Sequence, residues 1–205
     1  MKILLVSATQ KEIHSYLLSG PKHDVLITGL GIGQASFELT RKLTHNRYDL
    51  VLQAGIAGSY GYYNMGDVVA VNKDAFGDIG AYQHEAFLSL QEMGFVNNHL
   101  WIENRHPVLD KIELPVVSAI TTNTVTDDYK FNQALKKYWN ADIESMEGAA
   151  LHNVCEKLNQ PYLQIRSISN LVGERNKSRW KMQEAVENLN NAIPTVLAKF
   201  QSYAQ

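Results

Sequence analysis

A chain of 205 residues, 45% of them hydrophobic, can bury one good core, and its length favours one domain over two. A formal net charge of −2 gives no general pull toward nucleic acid or an anionic membrane, so a small-molecule ligand is expected, with no nucleic-acid or membrane partner. The lone Cys155 allows no intramolecular disulfide, and the apolar run Ile3-Leu4-Leu5-Val6 is too short for a signal-peptide core or a membrane span, so a cytoplasmic setting is expected.

Ile3–Ser7 reads as a strand of branched residues. Behind it, Thr9-Gln10-Lys11-Glu12 has the spacing of a capping box, in which Glu12 reaches back to the Thr9 amide. A second strand, Val25–Thr28, leads through Gly29-Leu30-Gly31-Ile32-Gly33 into a helix over Gln34–Leu43. Glycines at a strand-to-helix turn invite a dinucleotide site, but Gln34 or Ser36 stands where the third glycine of that fingerprint belongs. A tight turn is the simpler reading, and no cofactor is expected.

Leu50–Gln53 predicts the third strand, and Gln53-Ala54-Gly55-Ile56-Ala57-Gly58-Ser59 follows it. No lysine or arginine stands in this loop, so it suits something flat and uncharged. Small side chains at Gly55, Ala57 and Gly58, with Ile56 among them, let a sugar or base lie against the backbone; a plain turn with close packing fits the same residues.

Val68–Val71, Val116–Ile120 and Tyr162–Ile168 add strands, and Phe131–Tyr138 reads as helix. Met146, Ala150, Val154 and Leu158 share one face of a further helix, in which Cys155 is a packed core thiol. A last helix is expected from Lys181 to Tyr203, bent at Pro194.

This alternation, without repeat or linker, predicts an α/β chain: one domain over residues 1–205, in three layers, with a central mixed, mostly parallel sheet flanked by helices. Ligands in such sheets sit beyond the carboxyl ends of the strands, which places 8–12, 29–33, 55–58, the start of the Met146 helix and Asn170 on one rim. The seven histidines lie scattered without helical pairing, so no metal is expected, and Gly58-Ser59-Tyr60-Gly61 lacks the spacing of a serine-hydrolase elbow.

Met1-Lys2-Ile3, Thr28-Gly29-Leu30-Gly31, Gly55-Ile56-Ala57-Gly58, Gly66-Asp67-Val68-Val69, Met146-Glu147 and Ser167-Ile168-Ser169-Asn170 occur in an order and spacing that resembles the nucleoside phosphorylase and nucleosidase superfamily. The resemblance runs over nearly the whole chain. Asp74-Ala75-Phe76-Gly77-Asp78-Ile79-Gly80 and Gln164-Ile165-Arg166-Ser167-Ile168-Ser169-Asn170, with Gly173-Glu174-Arg175-Asn176-Lys177-Ser178 after it, resemble the futalosine-hydrolysing branch of that superfamily.

That resemblance implies an N-glycosidase that uses water to split futalosine into hypoxanthine and dehypoxanthine futalosine in the alternative menaquinone pathway. An adenine-releasing methylthioadenosine or adenosylhomocysteine nucleosidase, another purine nucleosidase or phosphorylase, and a non-catalytic nucleoside-binding protein of the same fold are the alternatives. A homodimer or higher homo-oligomer is implied, in which the region from Phe76 to Phe87 completes a neighbour's pocket.

The resemblance also implies roles for single residues. Glu12 matches the carboxylate that orients the attacking water, while Met146 and Glu147 match the pair that packs on the ribose and accepts from its hydroxyls. Asn170 stands where adenine-releasing members carry an aspartate; its amide offers a donor and an acceptor and suits a 6-oxopurine. Thr124 and Val125 fall near the purine-facing segment, and Trp180 where an aromatic covers the 5′ substituent. Arg175, Lys177 or Arg179 is then expected to pair with the futalosine carboxylate. The phosphorylases hold phosphate with arginines near their glycine loop, and the stretch from Leu50 to Gly66 has none, which favours water as the nucleophile.

Overall fold

The computed structural model describes residues 1–98 and 100–203. Its first half comprises β1 (Ile3–Ser7), α1 (His14–Leu18), β2 (Asp24–Ile27), α2 (Ile32–Thr44), β3 (Leu50–Ser59), β4 (Val68–Phe76), β5 (Gly80–Gln83) and β6 (Ala86–Ser89). Its second half comprises β7 (Ile102–Glu103), β8 (Val116–Thr121), α3 (Tyr129–Trp139), β9 (Ile143–Ser145), α4 (Gly148–Lys157), β10 (Tyr162–Leu171) and α5 (Met182–Tyr203).

Strand alternation decides the layers. Ile3 and Leu5 of β1 and Leu50 and Leu52 of β3 point to one face, where Tyr16 of α1 and Leu189, Ile193 and Phe200 of α5 cover them. Leu4, Val6 and Val51 point to the other, under Leu39 and Leu43 of α2 and Leu151, Val154 and Cys155 of α4. This is the expected sheet with helices on both sides. Cys155 is fully buried, and burial pushes its thiol well above the usual range, as for a packed thiol with no reactive role.

The sheet also closes on itself, which the strand list did not foretell. β3 runs to Ser59 because it stays paired beyond Gln53, on one edge throughout and on both at its end. β10 pairs with it in parallel as far as Leu171, and β9 joins its other edge antiparallel at Gly58 and Ser59. β10 then pairs antiparallel with β4, β4 in parallel with β8, and β8 in parallel with β9. These five strands form a ring filled by Ala57, Val69, Val71, Val117, Ala119, Ile143 and Ile168. β1 and β2 extend the sheet from β3 as parallel strands.

Five of these elements, α1, β5, β6, β7 and β9, were not predicted. β9 is only three residues long and carries Glu144 and Ser145, so it has no apolar run to announce it. β5 and β6 form a hairpin apart from the main sheet, turned by His84 and Glu85, both in the left-handed region. α4 opens at Gly148 with Glu147 as its N-cap, so Met146 lies in the connection before the helix rather than on its face. Of the expected domain of residues 1–205, positions 99, 204 and 205 lie outside the described residues.

Candidate active site

The carboxyl ends of β1, β3 and β10 and the β9–α4 connection surround a cavity of about 350 Å³. Glu12, Ile56, Ala57 and Gly58 line one side, and Met146, Glu147 and Asn170 line another. Val125 and Trp180 stand at the wall as well. Two of the predicted site residues do not line it. Thr124 is exposed, and its carbonyl accepts from the Thr122 hydroxyl at 3.3 Å. Gly55 lies behind the wall.

Glu12 makes the capping-box contacts its sequence suggested and also lines the cavity. Its Oε2 accepts from the Thr9 amide at 2.9 Å and the Thr9 hydroxyl at 2.9 Å, with Ser7 Oγ at 3.3 Å. Among the described residues Oε1 accepts only the Ile56 amide, at 3.2 Å, which leaves a lone pair for another donor. The capping-box contacts thus hold one oxygen and aim the other, although no helix starts there: 10–13 form a turn before α1. Buried Asn190 of α5 fixes the backbone beneath, donating from Nδ2 to the Glu12 carbonyl at 2.8 Å and accepting the Tyr16 amide at 2.9 Å.

Sequence reasoning missed Arg166. It is 1% exposed on β10, and its Nη1 lies 3.8 Å from Glu147 Oε2 while Nη2 donates to Gln53 Oε1 at 2.9 Å. A side chain on Gly55 would collide with this guanidinium and stand 3.1 Å from Glu12 Oε1. Gly55 therefore makes room for a cation and a carboxylate, not for a sugar. The glycine loop does have an arginine beside it, reached across the sheet from β10. An arginine inside the branched run of Tyr162–Ile168 was the available signal, because a buried guanidinium needs a partner.

Glu147 accepts the Gly31 amide at 3.0 Å through Oε1, so the turn after β2 closes over the start of α4. Burial pushes its carboxyl up; Arg166 and the Gly31 amide oppose that, and Glu12 adds to it. Asp74 and Gln164 fill the space beneath Gly148, where any Cβ would collide with both. Thr121 ties this floor to the helix: its hydroxyl donates to Asp74 Oδ1 at 2.9 Å and accepts the Ala149 amide at 2.8 Å. Burial pushes Asp74 up to about 7, against hydrogen bonds from Thr121 and Gln164 and the nearby Arg166 charge.

Asn170 belongs to β10 rather than to a loop after it. The strand pairing slips between Ile168 and Asn170, which sets Asn170 opposite Gly58. Its Oδ1 accepts from Ser169 Oγ and its Nδ2 donates to the Leu171 carbonyl, both at 2.8 Å, leaving one N–H and one lone pair free. Glu144, also missed, faces the same cavity from β9. It is 7% exposed, and its Oε2 accepts from the Tyr60 hydroxyl at 2.9 Å. Burial pushes its carboxyl up to about 7, against the Tyr60 bond, with Asp78 adding a small upward push.

The basic loop distributes its cations differently from expectation. Arg179 pairs with Glu174 at 2.9 Å, and Arg175 lies 5.6 Å over the Trp180 ring. Trp180 is held by its Nε1, which donates to the Glu174 carbonyl at 2.7 Å. The lysine that lines the cavity is Lys11, beside Glu12. Among the described residues no group of three His, Cys, Asp or Glu is placed to hold a metal ion, and no helix is long and apolar enough to cross a membrane.

The sequence profile of the phosphorylase superfamily matches residues 7–200, a span that carries every side chain of this cavity. The chain belongs to the phosphorylase superfamily. Within that superfamily it is 29% identical over 180 residues to a futalosine hydrolase of Acidothermus cellulolyticus, covering 83% of this chain and 73% of the relative. It is 29% identical over 192 residues to a futalosine hydrolase of Thermus thermophilus, covering 89% and 84%. Its fold matches that of a mutant Helicobacter pylori MTAN with 5′-methylthioadenosine in the active site. The TM-score is 0.81 at 18% identity, over 97% of this chain and 98% of that one.

Proposed function

We propose that this chain is a futalosine hydrolase, cutting the N-glycosidic bond of futalosine with water to release hypoxanthine and dehypoxanthine futalosine. The observation that carries it is that Glu12, Glu147 and Asn170 line one cavity, with Arg166 buried beside Glu147 and the resemblance placing an acid at the Asn170 position in adenine-releasing members. The similarity to futalosine hydrolases of two organisms supports the same substrate.

Glycosidic cleavage builds positive charge on the sugar while the base takes the bonding electrons. Glu147, through Oε2, accepts from the ribose hydroxyls, and Met146 packs on the ring. The free lone pair of Glu12 Oε1 takes the proton of a water that attacks the anomeric carbon. Two carboxylates, Glu12 and Glu147, face the cavity, which favours an oxocarbenium-like sugar and repels a phosphate dianion. Arg166 does not line the cavity and faces Glu147 and Gln53, so it presents no fork to a phosphate there. Water is the nucleophile, and no cofactor takes part.

At the base end the free N–H of Asn170 donates to the O6 and N7 edge of the hypoxanthine group, whose two atoms are both acceptors. Trp180, Val125, Met182 and Val186 line the cavity where the aryl arm of futalosine packs, and Lys11 pairs with its carboxylate. The working unit is a homo-oligomer of one domain per chain, acting in the cytoplasm in menaquinone synthesis. An adenine-releasing nucleosidase remains the second reading, because the Helicobacter pylori structure carries 5′-methylthioadenosine; Asn170 argues against it.

The test separates an enzyme from a binder. Glu12→Gln and Glu147→Gln are each expected to abolish hypoxanthine release from futalosine while hypoxanthine binding, read by calorimetry, persists. Turnover within threefold of the unaltered protein in both variants contradicts the assignment.

A further inference from the structure

Three residues of neighbouring strands stand in one lateral row. Glu144 of β9 is opposite Gly58 of β3, and Gly58 is opposite Asn170 of β10. Residues in register point to the same side of a sheet, and two strand spacings set the outer pair about 10 Å apart at the backbone. Gly58 has no side chain, and a Cβ there would stand 3.3 Å from Asn170 Nδ2 and 3.1 Å from Val172. The row is thus a shallow slot with a carboxyl at one end and an amide at the other, open to the cavity that both residues line. Ile143 packs inside the strand ring, so the next residue, Glu144, faces the opposite way.

We propose that Glu144 is the acid that protonates the departing purine, donating from Oε1 to the base edge opposite the one read by Asn170. This deepens the nucleosidase reading and rests on it. Asn170 has no proton to give, so a base that leaves with the bonding electrons needs another donor. Oε2 of Glu144 is occupied by the Tyr60 hydroxyl, while Oε1 makes no hydrogen bond among the described residues. With Asn170 on the O6 and N7 edge, the edge that faces Glu144 carries N3. As the bond from the anomeric carbon to N9 breaks, both electrons go to the purine and N3 takes the carboxyl proton. The water oxygen bonds to the anomeric carbon, and its proton goes to Glu12. Glu144 is left as carboxylate and Glu12 as acid, and both return by exchange with solvent once the products leave. Burial holds the Glu144 proton up to about pH 7; the groups that face it are Tyr60, which lowers that value, and Asp78, which raises it.

The experiment is the pH dependence of kcat for hypoxanthine release from futalosine by the unaltered protein, Glu144→Gln and Tyr60→Phe. The unaltered protein is expected to lose kcat as pH rises past about 7. Glu144→Gln keeps the shape and a donor but has no proton to transfer; its kcat should fall about 100-fold or more, with KM within about threefold and the alkaline limb gone. Tyr60→Phe removes the bond that favours the Glu144 carboxylate, so its alkaline limb should move to higher pH. A Glu144→Gln protein with kcat within threefold and an unchanged profile overturns the proposal and leaves the hydrolase reading intact. If that variant does not fold, an unmoved limb in Tyr60→Phe overturns it. An unaltered protein that releases no base from futalosine overturns both.

Discussion

Arg166 Nη1 lies 3.8 Å from Glu147 Oε2 with both side chains buried, so each is the other's nearest countercharge. The guanidinium holds the Glu147 carboxyl down against burial. Arg166→Met removes that opposition and leaves a buried carboxylate uncompensated, a change that costs about 3–5 kcal/mol. Urea unfolding should show a loss of that order, and kcat should fall at least about 100-fold as Glu147 takes up a proton and stops accepting from the ribose.

Gly148 is required by its neighbours. Its Cβ position is already occupied by Asp74 and Gln164, both fully buried. Gly148→Ala should destabilise the protein by about 1–3 kcal/mol, the cost of overpacking a filled interior, and displace the start of α4. Thermal melting and KM for the nucleoside check the two effects separately.

Two buried groups give stability opposite pH dependences. Asp74 is pushed up from 3.8 to about 7 in the folded state, so folding favours its protonated form and this contribution is lost as pH rises from about 4 through 7. His152 is pushed down from 6.5 to about 4, chiefly by burial, so its contribution is present above 6.5 and lost as pH falls through 4. Asp74→Asn should remove the first slope. Its urea midpoint is expected to change less than that of the unaltered protein between pH 5 and 7, and an equal change contradicts the assignment.

Lys11 and Arg179 differ as partners for a distal carboxylate. Lys11 lines the cavity, whereas Arg179 is already paired with Glu174. Lys11→Ala should raise KM for futalosine about tenfold, the equivalent of one charge-assisted hydrogen bond, without affecting inosine, which lacks the arm. Arg179→Ala should leave both within about threefold.

Much of the fold was legible because branched runs and helical spacing report burial directly. The six predicted strands all exist, and their starts fall within one residue of the structure at Ile3, Val25, Leu50, Val68, Val116 and Tyr162. Their ends were not legible: β3 and β10 continue through Gly55, Gly58, Ser169 and Asn170, small or polar residues kept in strands by the pairing of the two strands with each other and of Gly58 with β9. Closure of the ring depends on β9, too short to leave a pattern. The site was legible where residues are close in sequence, as at Met146 and Glu147. Arg166 and Glu144 were passed over because their importance comes from juxtaposition, across β3 for one and beside Tyr60 for the other. Gly55 was singled out for a ligand contact, yet its missing side chain serves Arg166.

The most direct measurement is chromatographic detection of free base after mixing the protein, in phosphate-free buffer, with futalosine, inosine, methylthioadenosine and adenosylhomocysteine in parallel. Hypoxanthine from futalosine, at a kcat/KM at least about 100-fold above adenine release from either thionucleoside, is the predicted result. Adenine from the thionucleosides with futalosine untouched, or no base from any of them until phosphate is added, would contradict it.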